Sequence, residues 1–119
     1  MKGFLYLFIG GHDVERTPAE VEDNMKAWMS WMDGLRASGA WVAGHPLEDG
    51  GKTIAGTDKK VTDGPFAETK EMVGGFIQLN AVDLDAAVAH AKDCPIYASG
   101  GRVEVRPIRE IELESPTAG

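Results

Sequence analysis

One segment constrains the fold of this chain more than any other: residues 4–9 (FLYLFI) are apolar at every position. Their aromatic and branched side chains, with Gly10 and Gly11 directly after them, predict a β-strand. Successive side chains of a strand point to opposite faces, so a strand with one face in water alternates apolar and polar residues. Since both faces of this strand are apolar, we expect each of them to be covered by other protein.

The strongest helix signal follows at Thr17. Thr17 and Glu20 have the spacing of a capping box, and Pro18 stands at the first helical position, where its missing N–H costs nothing. Apolar residues then recur every three or four positions, which places them on one helical face. They are Val21, Met25, Trp28, Met32 and Leu35. Arg36 stands with the charged residues of the opposite side, and we expect the helix to stop at Gly39.

Five further strand segments and a second helix complete the expected fold. The strands are expected over residues 41–47, 52–55, 59–62, 73–81 and 103–106, and the helix runs from a cap at Asp83 to about Asp93. In the strand over 41–47, Trp41 and His45 share one parity and hence one face. This order predicts an α+β fold, a ferredoxin-like plait (β-α-β-β-α-β) with an antiparallel sheet and two helices on one face. The apolar first strand then predicts that a second copy covers the other face, as a homodimer.

Composition and charge exclude several classes of protein. The 119 residues suit one domain, expected over residues 1–112 with a tail at 113–119. Twelve basic and 19 acidic residues give a net charge of −7, which disfavours direct nucleic-acid binding. Cys94 is the single cysteine, which excludes an intramolecular disulfide and a multi-cysteine zinc site. No apolar run approaches the roughly 18 residues of a membrane helix, and no secretory signal pattern precedes the first strand, so we expect a cytoplasmic protein without membrane contact.

A distinctive motif, VTDGPFAETKE, occupies residues 61–71 and is followed by GGF at 74–76. In this motif, and in residues 83–87, 94–95 and 103–107, the chain resembles the YCII-related, DGPF-domain family. The opening strand and the first helix also fit, so the resemblance extends over nearly the whole chain. It implies a ferredoxin-like α+β domain that forms a dimeric α+β barrel.

The resemblance implies two different kinds of function. Members of the family mostly have no established activity, and some occur fused to or beside sigma factors of the extracytoplasmic-function type, from which a role in transcription initiation has been suggested. Other YCII-like proteins resemble cofactor-free enzymes that use a histidine in the first helix. Counted back without gaps from Gly39, that position is occupied here by Trp28. This chain therefore departs from that catalytic scheme.

The DGPF motif carries the first candidate site residues. Gly64 and Pro65 predict a reverse turn, in which Asp63 either accepts backbone N–H groups or lines a cleft. The turn needs neither Glu68 nor Lys70. A carboxylate beside an ammonium can relay protons or hold a polar substrate. We therefore take Asp63 and Glu68 as catalytic candidates and Lys70 as a ligand-binding candidate.

Two histidines and one tryptophan complete the candidate site. His45, near the end of a predicted strand, either acts as a base or acid or packs as a hydrogen-bonded core residue. His12 follows the first strand in a loop that either overhangs the same cavity or is a solvated connection. Trp31 widens the apolar stripe of the first helix, as a cavity wall or as plain core. No spacing typical of a metal site and no phosphate-binding glycine motif occurs, so we expect no metal and no cofactor.

Two functional hypotheses remain open. In the first, a cleft of the homodimer binds a small organic molecule and carries out cofactor-independent acid/base chemistry, of proton-transfer or lyase type, with His45 as base or acid. In the second, the protein is a non-catalytic interaction module whose partner is a sigma factor, and its acidic charge favours a protein partner over DNA. A cavity that holds His45 and a carboxylate of the motif favours the first hypothesis. A filled core favours the second.

Overall fold

The computed structural model of the protein describes residues 1–11, 14–64 and 71–111. In chain order its elements are β1 (Lys2–Ile9), α1 (Pro18–Ala37), β2 (Trp41–Pro46), β3 (Lys52–Ala55), β4 (Lys60–Asp63), β5 (Val73–Ala81), α2 (Leu84–Ala91), a 3-10 helix (Pro95–Ser99) and β6 (Arg102–Pro107). Apart from the hairpin of β3 and β4, the order is β-α-β-β-α-β, which confirms the predicted α+β plait. The 3-10 helix was not predicted.

The main sheet is antiparallel and has the strand order β2-β5-β1-β6. β1 lies inside the sheet, with Phe4 opposite Leu79 of β5 on one side and opposite Pro107 of β6 on the other. The backbone of a strand in this position is hydrogen-bonded along both edges, and its side chains project to the two faces of the sheet. The apolar segment of residues 4–9 therefore forms an inner strand of the main sheet.

Both helices pack on one face of the sheet, which we call the helix face and which β1 supplies with Phe4, Tyr6 and Phe8. These three side chains are buried. The Trp31 ring of α1 stacks on the Tyr6 ring at a centroid distance of 6.0 Å, and the Tyr6 hydroxyl donates to the carbonyl oxygen of Ala87 in α2. Burial of a large apolar side chain contributes about 1.5–3 kcal/mol, so this face holds much of the core.

The opposite face of the sheet, which we call the open face, carries Leu5 and Leu7 of β1. Leu5 lies opposite Gln78 and Leu7 opposite Phe76, and all four residues are half-buried in the single chain. The apolar side chains on this face thus retain contact with water. The second copy expected to cover them stays a prediction.

Helix α1 begins as its sequence predicts, because the Thr17 backbone N–H donates to Glu20 at 2.9 Å and the Glu20 backbone N–H donates to Thr17 Oγ1 at 3.2 Å. The apolar stripe behaves differently along its length. Leu35 is buried, but Met25 is 61% exposed and Met29 is 54% exposed. The stripe is therefore partly core and partly cavity wall, the two alternatives expected for it.

Strands β3 and β4 form a separate two-stranded hairpin with Ile54 opposite Val61. Both of these side chains are exposed, by 67% and 56%. The sequence predicts short strands over residues 52–55 and 59–62. The structure has them at Lys52–Ala55 and Lys60–Asp63 and pairs them with each other.

Candidate functional site

A cleft of about 650 Å³ lies between α1 and the part of the sheet formed by β2 and β5. Its walls are mainly apolar and include Met25, Trp28 and Met32 of α1. The sheet contributes Trp41 and Ile77. Cavities of 300–1,000 Å³ are typical of sites for small organic molecules. This space is large enough for a ring system with substituents.

Two glycines on the sheet side of the cleft let neighbouring groups approach the backbone closely. A Cβ on Gly44 would lie 2.8 Å from Ile77 Cγ1 and 3.0 Å from Trp41 Cη2. A Cβ on Gly75 would lie 3.0 Å from the carbonyl oxygen of His45. Such distances are too short for a real side chain, so only glycine lets the Trp41 indole lie against the sheet at this point.

Trp28 forms the aromatic wall on the helix side. Its ring meets the Phe8 ring edge to face at a centroid distance of 5.1 Å and the Trp31 ring at 5.8 Å. Trp31 itself turns towards the core, where its Nε1–H donates to the carbonyl oxygen of His90 at 3.0 Å. Of the two tryptophans of α1, Trp28 therefore faces the cleft, while Trp31 supports it from behind.

The structure places His45 at the rim of the cleft and turns its side chain onto the open face. A bulge between Trp41 and Ala43 shifts the register of β2, so Trp41 lies opposite Leu79 of the helix face and His45 lies opposite Phe76 of the open face. The expectation that Trp41 and His45 share a face is therefore wrong, because the bulge inserts one residue between them. The exposed imidazole contacts the Phe76 ring at a centroid distance of 5.9 Å.

Asp63 lies in the β3–β4 hairpin and not in the wall of the cleft. Its side chain is 90% exposed and pairs with the ammonium group of Lys52 on the neighbouring strand. The structure thus does not bring Asp63 together with His45. The other candidates, His12, Glu68 and Lys70, lie outside the described residues.

Two arginines, Arg16 and Arg36, line the cleft. Neither is among the candidates predicted from the sequence. The Arg36 guanidinium lies 4.3 Å from the centroid of the Trp41 ring and pairs with Asp33 at 3.1 Å. The Arg16 guanidinium donates through Nη2 to the hydroxyl oxygen of Ser99. Arg36 follows Trp28 and Met32 at intervals of four residues, so the three lie on the same face of α1. The expectation that Arg36 lies on the opposite, charged side did not take this spacing into account. Arg16 has no such local signal, since Ser99 is 83 positions away along the chain.

The buried thiol of Cys94, the single cysteine of the chain, is unreactive. Burial raises the pKa of the Cys94 thiol to about 12, against a smaller opposing effect of a backbone hydrogen bond with Ile96. A thiol with that pKa is protonated at neutral pH and is a poor nucleophile. Among the described residues, no group of three or more histidine, cysteine or acidic side chains could hold a metal ion. Nor does the described part of the chain contain a helix that is long and apolar enough to cross a membrane.

Comparisons with known proteins identify the family. Among solved structures, the chain is similar to 5-chloro-2-hydroxyhydroquinone dehydrochlorinase (TftG) from Burkholderia phenoliruptrix AC1100, in complex with 2,5-dihydroxybenzoquinone, at 18% identity and a TM-score of 0.49 over 92% of this chain and 94% of that one. Among curated proteins, it is 47% identical over 49 residues to an uncharacterised protein of Rhizobium meliloti (strain 1021), a match that spans 40% of either chain. The family model of the YCII-related domain matches residues 5–112, so the chain belongs to the family of YCII-related domains.

Proposed function

We propose that this protein binds a small organic molecule with a ring system in the cleft between α1 and the sheet. The observation that carries the proposal is the pair of indole rings, Trp28 and Trp41, on the two sides of a mainly apolar space of about 650 Å³. Aromatic rings favour offset-stacked or edge-to-face contact with one another. A flat ligand between these two walls gains such contacts with both.

Apolar burial alone supports only weak binding in this space. Removing about 150 Å² of apolar ligand surface from water contributes roughly 4 kcal/mol at ~25 cal/mol per Å². The loss of translational and rotational freedom on association opposes that gain. A bare ring is therefore expected to bind no more tightly than about 1 mM, and tighter binding requires polar groups of the cleft.

Acid/base chemistry by His45 stays a prediction, since this residue lines the rim of the cleft but its exposed imidazole lies on the open face, against the Phe76 ring. Asp63 and its ion pair with Lys52 favour a structural role in the hairpin instead. The space between α1 and the sheet is a cleft and not a filled core. This observation favours ligand binding over a non-catalytic interaction module. The partnership with a sigma factor rests on the resemblance alone and stays a prediction.

We also propose that a second copy of the chain covers the open face. Leu5, Leu7 and Phe76 form a continuous apolar surface there, because Leu7 is opposite Phe76 and both lie beside the Leu5–Gln78 pair. A twofold arrangement lets the same surface serve on both partners. The cleft lies on the other side of the sheet, within one chain, so ligand binding does not depend on this contact.

Chemical-shift mapping with the neutral probe 2-naphthamide tests the binding proposal. We expect the backbone amide signals of Gly44, Gly74 and Gly75 to move on titration, because these residues line the cleft. The amides of β3 serve as the internal control, since the hairpin lies in a separate sheet. Shifts confined to the open face around Leu5, or no shifts up to the solubility limit of the probe, would overturn the proposal.

A further inference from the structure

We propose that the molecule bound in the cleft is an aromatic anion of the carboxylate type, whose ring packs on Trp28 and whose charge is held by Arg16 and Ser99. This inference rests on the proposed function and adds the class of the ligand. It follows from the charges of the cleft, the hydrogen bonding of Arg16 and the arrangement of the aromatic wall beside it.

The cleft has the opposite charge to the rest of the protein. The chain carries 19 acidic and 12 basic residues and a net charge of −7. Among the described residues that line the cleft, however, two are arginines and none is an aspartate or glutamate. A surface of overall negative charge repels anions, whereas the half-buried Arg16 guanidinium, which no described carboxylate neutralises, attracts them. The cleft is therefore selective for a negative ligand over a positive one.

Arg16 keeps its charge available to a ligand. Its hydrogen-bond partner, the Ser99 hydroxyl, is neutral. Within the described parts of the chain, no carboxylate forms an ion pair with it. The charge of Arg16 also acts on Glu20, whose pKa is lowered mainly by hydrogen bonds with Thr17 and to a smaller extent by Arg16. That carboxylate is already engaged as the acceptor in the capping box of α1.

Ser99 adds a second donor beside the guanidinium. Its oxygen accepts from Arg16, which leaves the Ser99 O–H to donate to another group. Both residues line the cleft. A carboxylate at this point can accept from Arg16 through one oxygen and from Ser99 through the other. Hydrogen bonds between charged groups are shorter and stronger than neutral ones, and a guanidinium matches the geometry of a carboxylate.

Arg36 also lines the cleft, but its guanidinium is already paired with a carboxylate. Its guanidinium is stacked on Trp41, and Asp33 neutralises it at 3.1 Å. A ligand anion would have to compete with that carboxylate. Arg36 therefore serves as the matched control for Arg16, since both are arginines of the same cleft.

The backbone of Phe8, Gly10 and Gly11 connects the aromatic wall with the position of Arg16 and Ser99. Phe8, in contact with Trp28, lines the cleft together with Gly10 and Gly11, which follow it in the chain. Gly11 in turn approaches Ser99, since a Cβ on Gly11 would lie 3.3 Å from Ser99 Cβ. The wall of Phe8 and Trp28 and the pair of Arg16 and Ser99 thus border one cleft, so a ligand with its ring on the wall can place a carboxylate on that pair.

Isothermal titration calorimetry with 2-naphthoate and its neutral counterpart 2-naphthamide tests the proposal. The two probes share the ring system and differ in charge. We expect wild-type protein at low salt to bind 2-naphthoate at least about tenfold more tightly, as hydrogen bonds to a charged group imply. Arg16→Gln should remove that preference, and Ser99→Ala should reduce it. Arg36→Gln should keep it within about threefold, as expected for a cation already neutralised at an exposed position.

The neutral probe separates loss of the charge subsite from loss of the fold. Arg16→Gln should bind 2-naphthamide as wild type does, which shows that the ring subsite is intact. Equal affinity of wild type for both probes would overturn the anion proposal and leave the proposed function standing. A charge preference that persists in Arg16→Gln, or that disappears in Arg36→Gln, would overturn the assignment to Arg16. Failure of wild type to bind either probe would overturn both proposals.

Discussion

The indole of Trp41 lies directly against the backbone of Gly44, since a Cβ on Gly44 would stand 3.0 Å from Trp41 Cη2. The same position is 2.8 Å from Ile77 Cγ1 and 2.9 Å from the carbonyl oxygen of Phe76. One absent methyl group thus sets how closely the aromatic wall of the cleft approaches the sheet. The relation connects the identity of an edge-strand residue with the shape of the proposed binding site.

Replacement of Gly44 by alanine should therefore affect both stability and binding. The added methyl group must push Trp41 and Ile77 away, and overpacking of this kind costs about 1–3 kcal/mol of the free energy of unfolding. We expect a lower urea midpoint for Gly44→Ala and weaker binding of 2-naphthamide. Denaturation followed by circular dichroism gives the first quantity, and calorimetry gives the second.

Gly34→Ala is the matched control for that substitution. Gly34 lies inside α1, and a Cβ there meets no atom within 4 Å. Alanine favours a helix interior over glycine by about 0.5–1 kcal/mol, so this variant should be more stable than wild type. Equal effects of the two substitutions would show that the close contact at Gly44 is unimportant.

Because of the capping box of α1, the free energy of unfolding should decrease as the pH falls. Hydrogen bonds with Thr17 lower the pKa of Glu20, the backbone N–H contributing most. The folded state thus binds the Glu20 proton less tightly than the unfolded chain, and the contribution is present above the ordinary carboxyl pKa and lost as pH falls through the folded value. We expect Glu20→Ala to be less stable than wild type at neutral pH, with the difference disappearing in acid. The measurement is urea denaturation across that range.

A second substitution on the same helix separates the cap from general charge effects. Glu22→Ala removes an exposed carboxylate that pairs with Lys26 at 3.3 Å. Such a pair contributes only a few tenths of a kcal/mol. If Glu22→Ala showed the same loss at neutral pH as Glu20→Ala, the capping interaction would not be the cause.

The parts of the fold that sequence reasoning predicted are those set by local chemistry. The start of α1 depends on Thr17, Pro18 and Glu20, which are neighbours in the chain, and the structure has the predicted box there. β5 likewise has the predicted bounds, 73–81. Elements of this kind follow from propensities and spacings that lie within a few residues.

The parts that sequence reasoning missed depend on contacts between distant segments. The bulge in β2 arises from its pairing with β5, so alternation along residues 41–47 could not show that His45 leaves the face of Trp41. The contact of Arg16 with Ser99 joins residues 83 positions apart. Helical periodicity predicted which side of α1 Met25 lies on, but not how far the helix stands from the sheet. The cleft exists because of that separation.

Burial of Cys94 should show in both reactivity and alkaline stability. Burial raises the thiol pKa from 9.0 to about 12. A raised pKa in the folded state means that the stabilising effect is complete below the unfolded value and is lost as pH rises through the folded one. We expect the free energy of unfolding to fall between about pH 9 and pH 12, less steeply in Cys94→Ala than in wild type. Denaturant titrations at stepwise higher pH measure this slope.

The same thiol offers a direct chemical check at constant pH. Native protein should react very slowly with Ellman's reagent, because the thiolate is scarce and the side chain is buried. In denaturant, the single cysteine should react at once. Rapid reaction of the native protein would mean that Cys94 is exposed and that the alkaline effect has another origin.

The open face should determine the assembly state. Leu7 is half-buried in the single chain and lies opposite Phe76, so a second copy would bury both. We expect light scattering at micromolar concentration to give about twice the chain mass of 12.8 kDa. Leu7→Glu should give single chains, because an unpaired carboxylate is costly in an apolar interface. Val82→Glu, at an exposed position outside the strands, should leave the dimer intact. A wild-type protein of single-chain mass would refute the dimer and leave the cleft, which one chain forms, unaffected.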